Sequence, residues 1–183
     1  MMRVLVISDI HDRLESIGKL KRVVGDVDQV VILGDIVSPF TLKTILNEVN
    51  PNVMGVFGNN DGDKELLKRI SPNVTEQPME LLFDAFKAIA FHGFKSVDLT
   101  KKIVYSLCTS TQRYYDIVLY GHTHMYDLSL VNDCLVLNPG ALSGYLTSME
   151  SYAILSIEGN KVKAEVYDLT NGTLLKVLTL VKP

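Results

Sequence analysis

The sequence predicts an α/β protein in which two packed sheets carry helices on their outer faces. Three observations lead there. Apolar runs alternate with amphipathic segments in the first 70 residues or so. The second half is dense in short strands. Turn signals punctuate its end, at Glu158-Gly159-Asn160-Lys161 and Thr170-Asn171-Gly172-Thr173.

The elements read as follows. Arg3 to Ser8 is a buried strand, because Val-Leu-Val-Ile is continuous and β-branched. Leu14, Ile17, Leu20 and Val24 share one face of a helix over about 14–24. Gln29 to Leu33 is a second buried strand, Pro39 to Val49 a helix, Val53 to Phe57 a third strand and Asp63 to Ile70 a short helix. This βαβαβ order implies parallel pairing with right-handed crossovers. Further strands are expected at Met79–Phe83, Ala88–Phe91, Ile117–Tyr120, Tyr126–Val131 and Leu135–Leu137, with a helix near Asp98–Ser110. Three alternating strands close the chain, at Tyr152–Glu158, Lys161–Asp168 and Thr173–Leu180. The strands of this half are expected to be antiparallel. No repeat or linker divides the chain, so residues 1–183 read as one domain.

Composition narrows the function. Hydrophobic residues make up 47% and charged residues 21%, as in ordinary globular proteins. The net charge of −3 argues against a broad surface for nucleic acid or anionic lipid. No run approaches the ~20 apolar residues of a membrane span. The opening apolar run is too short for a signal peptide. Cys108 and Cys134 form no Cys-x-x-Cys pair and are expected to be buried thiols, which suits a reducing cytoplasm. Tyr105, Tyr114, Tyr115 and Tyr120 read as packing residues, Lys101-Lys102 as a solvated face, and Asp12 as a cap for the first long helix.

Metal-competent residues stand where strands end. Strand one runs into Asp9-Ile10-His11, strand two into Gly34-Asp35, and strand three into Gly58-Asn59-Asn60-Asp61. Strand 88–91 runs into His92-Gly93, and strand 117–120 into Gly121-His122-Thr123-His124. Sites in α/β sheets form beyond the carboxyl ends of strands. Taken singly, each fragment is compatible with a turn, a cap or a core histidine. Together they are not, because the chain has only 4 histidines and all of them occupy these segments.

These fragments, in order and spacing, resemble the calcineurin-like metallophosphoesterases over Val4 to about Tyr145. Leu137-Asn138-Pro139-Gly140-Ala141 resembles the small YfcE-type phosphodiesterases, where Ser often stands in place of Ala141. A eukaryotic retromer subunit of similar size shares the fold and serves as a scaffold. The resemblance implies a four-layer α/β/β/α sandwich and two divalent ions. Asp9, His11, Asp35 and His124 would hold the first ion. Asp35, Asn59, His92 and His122 would hold the second, with Asp35 bridging. Mixed nitrogen and oxygen ligands suit Mn²⁺ first, with Ni, Fe, Co or Zn as alternatives. A hydroxide between the ions would attack phosphorus. The implied catalytic set is Asp35, Asn59, Asn60 and Asp61, with Asp61 orienting the Asn59 loop.

One departure bears on the substrate. Many relatives carry His at the position of Asn60, as the group that protonates the leaving group. An amide does not titrate in water and cannot do so. The expected substrate is therefore a small phosphodiester. Phosphomonoesterase, nuclease and non-catalytic scaffold are the alternatives, and a homodimer is compatible with the chain.

Overall fold

The computed structural model describes residues 1–112 and 114–182. The elements run β1 (Met2–Ile7), α1 (Leu14–Val23), β2 (Gln29–Leu33), α2 (Pro39–Glu48), β3 (Val53–Val56) and α3 (Lys64–Ile70). They continue with β4 (Val74–Thr75), β5 (Met79–Phe83), β6 (Phe86–Phe91), α4 (Val97–Thr109), β7 (Ile117–Tyr120), β8 (Asp127–Val131) and β9 (Cys134–Asn138). β10 (Ser151–Glu158), β11 (Lys161–Asp168) and β12 (Leu174–Val181) complete the chain.

The strands form a 7-stranded sheet, ordered β12-β11-β10-β1-β2-β3-β4, and a 5-stranded sheet, ordered β5-β6-β7-β9-β8. In the larger sheet β1 to β4 are parallel and β10 to β12 are antiparallel. The smaller sheet departs from the antiparallel expectation at its centre. There β6, β7 and β9 are parallel, with α4 as the crossover between β6 and β7.

Side-chain alternation explains the layering. In β1, Val4 and Val6 face the second sheet, while Leu5 and Ile7 face α1 and α2. In β6, Ala88 and Ala90 face the first sheet, while Ile89 and Phe91 lie under α4. Both faces of these strands are covered, which is why their sequences run apolar without a polar alternate. Three apolar clusters result, one between the sheets, one under α1 to α3 and one under α4, giving the α/β/β/α order of layers.

Two local expectations fail. Asp12 does not cap α1. Its Oδ1 accepts from Ser38 N (3.1 Å) and Thr41 Oγ1 (2.5 Å), tying the loop after β1 to the start of α2. Cys108 and Cys134 are buried as expected but are not thiols. They form a disulfide between α4 and β9, with Cα atoms 5.4 Å apart. The cysteines therefore lend no support to a reducing compartment. No described helix is long and apolar enough to cross a membrane.

The bridge closes a loop of sequence separation 26. Reduction should lower unfolding stability by about 2–4 kcal/mol. Denaturant titration with and without reductant checks this, and the double variant Cys108→Ala/Cys134→Ala should match the reduced protein.

Candidate metal centre

Parallel β1, β2 and β3 end beside one another in the larger sheet, and β6 and β7 do so in the smaller. Their carboxyl ends meet at one edge of the sandwich. His92 Nδ1 lies 2.8 Å from the Leu33 carbonyl, and His122 N donates to Asp9 Oδ2 (3.0 Å). Every ligand expected from the sequence arrives at this edge.

The backbone there is unusual. Asp9, His11, Asp35, His122 and His124 have φ of 52°, 48°, 54°, 67° and 60°. This left-handed region costs non-glycine residues, though Asp and His tolerate it better than most. Such strain gathers at functional sites and persists only where the surroundings enforce it. Two glycines allow the loops to approach. A Cβ on Gly58 would lie 2.1 Å from Asp35 Oδ1, and one on Gly121 would lie 2.1 Å from Ser8 Oγ.

The first cluster comprises Asp9, His11, Asp35 and His124, whose ligand atoms all lie within 4.8 Å of one another. His124 Nε2 is 3.3 Å from Asp9 Oδ1, and His11 Nε2 is 3.5 Å from Asp35 Oδ2. The second cluster meets at His92 Nε2. Asp35 Oδ1 stands 3.5 Å from it, Asn59 Oδ1 3.0 Å and His122 Nδ1 3.2 Å. Asp35 thus faces both clusters, one oxygen to each.

Proton bookkeeping shows what these atoms lack. His92 Nδ1 and His124 Nδ1 donate to the carbonyls of Leu33 (2.8 Å) and Tyr145 (2.7 Å), which in the neutral ring leaves the lone pair on Nε2. His92 Nε2 then faces the Asn59 oxygen, acceptor against acceptor. Burial and the neighbouring His92 push the His122 pKa down, keeping that ring neutral. Among the described residues, Asp9 Oδ1 and His11 Nε2 are buried without any hydrogen-bond partner. A cation in each cluster would satisfy these atoms. Bonds of about 2.0–2.2 Å to one ion place neighbouring ligand atoms roughly 3 Å apart, close to the spacings seen. The donor set therefore fits divalent metal.

The remaining site residues are placed as supports. Asp61 accepts from Val37 N (2.7 Å) and Gly58 N (2.6 Å), fixing the loop that bears Asn59. Burial raises its pKa against these two bonds. Asn60 clasps Asp35, with its backbone N on Oδ1 (2.9 Å) and its Nδ2 on Oδ2 (2.8 Å). Three supports were not foreseen from the sequence. Gln77 Oε1 accepts from the backbone of His92 (2.8 Å) and Gly93 (3.1 Å). Ser143 Oγ donates to the Asp9 carbonyl (2.7 Å). Tyr145 lays its ring 5.0 Å from His11. No metal-type side chain marks any of them. Asn138, part of the quoted Leu137–Ala141 segment, donates from Nδ2 to Gly121 O and Thr123 Oγ1, both at 3.0 Å, and so holds the loop of His122 and His124.

Gly58→Ala should abolish the rise in melting temperature on adding Mn²⁺, because the new methyl group displaces Asp35. Gly18→Ala is the control. Nothing lies within 4 Å of that helical glycine, and the change should stabilise by about 1 kcal/mol without altering the metal response. Metal affinity should fall as pH drops through the histidine range, since protonated imidazole cannot coordinate. Equilibrium dialysis across that range gives the sign.

The chain resembles known proteins in sequence and fold. A phosphodiesterase of Methanocaldococcus jannaschii is 35% identical over 174 residues, covering 91% of this chain and all of that one. A solved archaeal phosphodiesterase superposes with TM-score 0.71 at 29% identity, over 98% of this chain and 100% of its own. Vps29 of Chaetomium thermophilum shares the fold with TM-score 0.74 at 20% identity, over 100% of both chains. Vps29 of Entamoeba histolytica, solved in complex with zinc, does so with TM-score 0.72 at 22% identity, over 98% of this chain and 99% of its own. Residues 2–160 match the calcineurin-like phosphoesterase superfamily domain, and the chain belongs to that superfamily.

Proposed function

We propose that the protein hydrolyses small phosphodiesters with two divalent ions, manganese first among them. The carrying observation is Asp35, buried between two clusters of bare lone pairs and facing each with one oxygen. Asp9, His11, Asp35 and His124 would hold one ion, and Asp35, Asn59, His92 and His122 the other. When bound, the ions supply an activated water at neutral pH and offset phosphate charge.

The chain's own residues do the rest. Asp9 and Asp35 bring the only negative charges among these ligands, so a loaded site is net positive and draws an anion toward an acidic protein. Asn60 holds Asp35 in register and offers no proton to a departing oxygen. A diester suits such a site, because it carries less charge than a monoester and needs less help from an acid. The relationship to a named phosphodiesterase supports the same substrate class.

A non-catalytic scaffold is the second reading, favoured by the likeness in fold to Vps29. Metal binding alone does not separate the two, since a Vps29 was solved with zinc. Turnover does. Against a nuclease stands the net charge of −3. A cytoplasmic setting and a homodimer belong to the same proposal. Fractionation of cells against a cytosolic marker tests the first, and sedimentation of the purified protein tests the second.

Two outcomes follow for activity. Asp35→Asn should lose more metal and more activity than any other conservative ligand change, since it strips charge from both clusters together. Elemental analysis and a diester assay of the same sample check this. Asn60→His should raise the ratio of monoester to diester kcat/KM by about tenfold or more, because a positioned acid contributes about 10²–10⁴-fold. Wild-type protein that prefers matched monoesters would overturn the diester assignment. Metal-loaded protein that turns over neither would favour the scaffold.

A further inference from the structure

Two clefts flank the metal centre. One, of about 440 Å³, includes Asn59, His92, His122, Lys95 and the Lys64–Glu76 ion pair in its lining. The other, of about 460 Å³, is lined by His11, Val37, Asn60 and Tyr145. Both volumes fall within the range of about 300–1,000 Å³ typical of small-molecule sites. The second cleft holds a ligand of the first cluster, Asn60 and one large aromatic ring.

That ring is exposed yet held in place. Tyr145 is 55% accessible, unusual for a tyrosine beside buried polar groups. Its centroid lies 5.0 Å from His11 and 5.7 Å from His124, tilted 55° to each. Its carbonyl accepts from His124 Nδ1 (2.7 Å), and its N donates to Ser143 Oγ (3.2 Å). Arg13 donates to the Ser143 carbonyl and pairs with the buried Glu150 (3.0 Å). Leu146, at φ 61°, turns the chain away directly after the ring. The strap is thus anchored on both sides of Tyr145, so a ligand that meets this exposed ring in the cleft orders it at little further entropic cost. Val37 and Asn60 line the same cleft, and the Asn60 Nδ2 is already engaged by Asp35. Neither brings a charge.

We infer that this cleft receives the leaving group of the diester, and that the leaving group is aromatic and stacks on Tyr145. The inference rests on the phosphodiesterase reading. It deepens that reading by naming the substrate class, an ester of phosphate with an aromatic alcohol. Asn60 itself, beside the departing oxygen, cannot protonate it. An aryloxide tolerates that, because it leaves as a stable anion. Hydrolysis breaks the bond between phosphorus and the aryl oxygen, and the aryloxide departs with the bonding pair. Water supplies the new phosphorus–oxygen bond and releases its proton to solvent.

The test compares methyl phenyl phosphate with a methyl fluoroalkyl phosphate of matched leaving-group acidity, using Mn²⁺-loaded full-length protein. Stacking on an aromatic side chain is worth about tenfold at this scale. Wild type should favour the phenyl ester by about tenfold in kcat/KM. Tyr145→Leu should erase the preference and Tyr145→Phe should keep it, with melting temperature and metal content verified for each variant. Calorimetry gives a readout without turnover. Phenylphosphonate should bind about tenfold tighter than methylphosphonate to wild type and to Tyr145→Phe, and equally to Tyr145→Leu. Equal rates for the two esters in wild type, or a preference that survives Tyr145→Leu, would overturn the aromatic platform and leave the phosphodiesterase reading intact. Hydrolysis of neither ester would overturn both.

Discussion

Two buried carboxylates set the terms for the whole molecule. Asp9 and Asp35 are 0% and 1% accessible, and among the described residues their ion-pair partners are histidines, not lysines or arginines. An ionised carboxylate without a cation is costly to bury. Three of those histidines sit with a bare nitrogen pointed inward, two of them because a backbone carbonyl takes the other ring proton. The arrangement suits an ionic assembly whose other half is metal. The left-handed residues fit the same account. Each costs on the order of 1–3 kcal/mol where the conformation is poorly tolerated, and somewhat less for Asp and His. The core between the sheets, together with metal binding, offsets that strain.

The division of labour between the sheets follows from this constraint. Parallel strands deliver their carboxyl ends to one edge, so five separate loops can each contribute ligands without long excursions. The larger sheet brings both carboxylates, His11 and Asn59, and the smaller one brings His92, His122 and His124. Both clusters are therefore complete only when the two sheets pack. The apolar cluster between them, with Val4, Val6, Val31 and Leu33 against Ala88, Ala90, Ile117 and Leu119, is also what holds the site in register. Small alanines in β6 let the sheets close tightly beneath the ligands.

Much of this was legible in the sequence, and the rest was not for identifiable reasons. Strand ends were legible because the doubly covered strands are unbroken β-branched runs. The ligands were legible because all 4 histidines follow such runs. β4 was missed because Val74–Thr75 is too short to show any period. Parallel pairing of β6, β7 and β9 was missed because pairing direction depends on where α4 packs, not on the strands themselves. The Cys108–Cys134 bridge depends on α4 crossing beneath β9, a contact between residues 26 apart that spacing does not reveal. Asp12 has the right chemistry to cap a helix, but Ser38 and Thr41 compete for the same oxygen and win. Gln77, Ser143 and Tyr145 act through hydrogen bonds and ring contacts that only the folded loops create.

The account stands or falls on metal stoichiometry. The most direct measurement is elemental analysis of protein stripped with chelator, reloaded with Mn²⁺ and freed of excess ion, alongside circular dichroism to establish that it is folded. The two clusters that share Asp35 predict about two ions per chain. A folded protein that retains none would contradict the ionic assembly at its centre, and one ion at saturation would contradict the sharing of Asp35 between two sites.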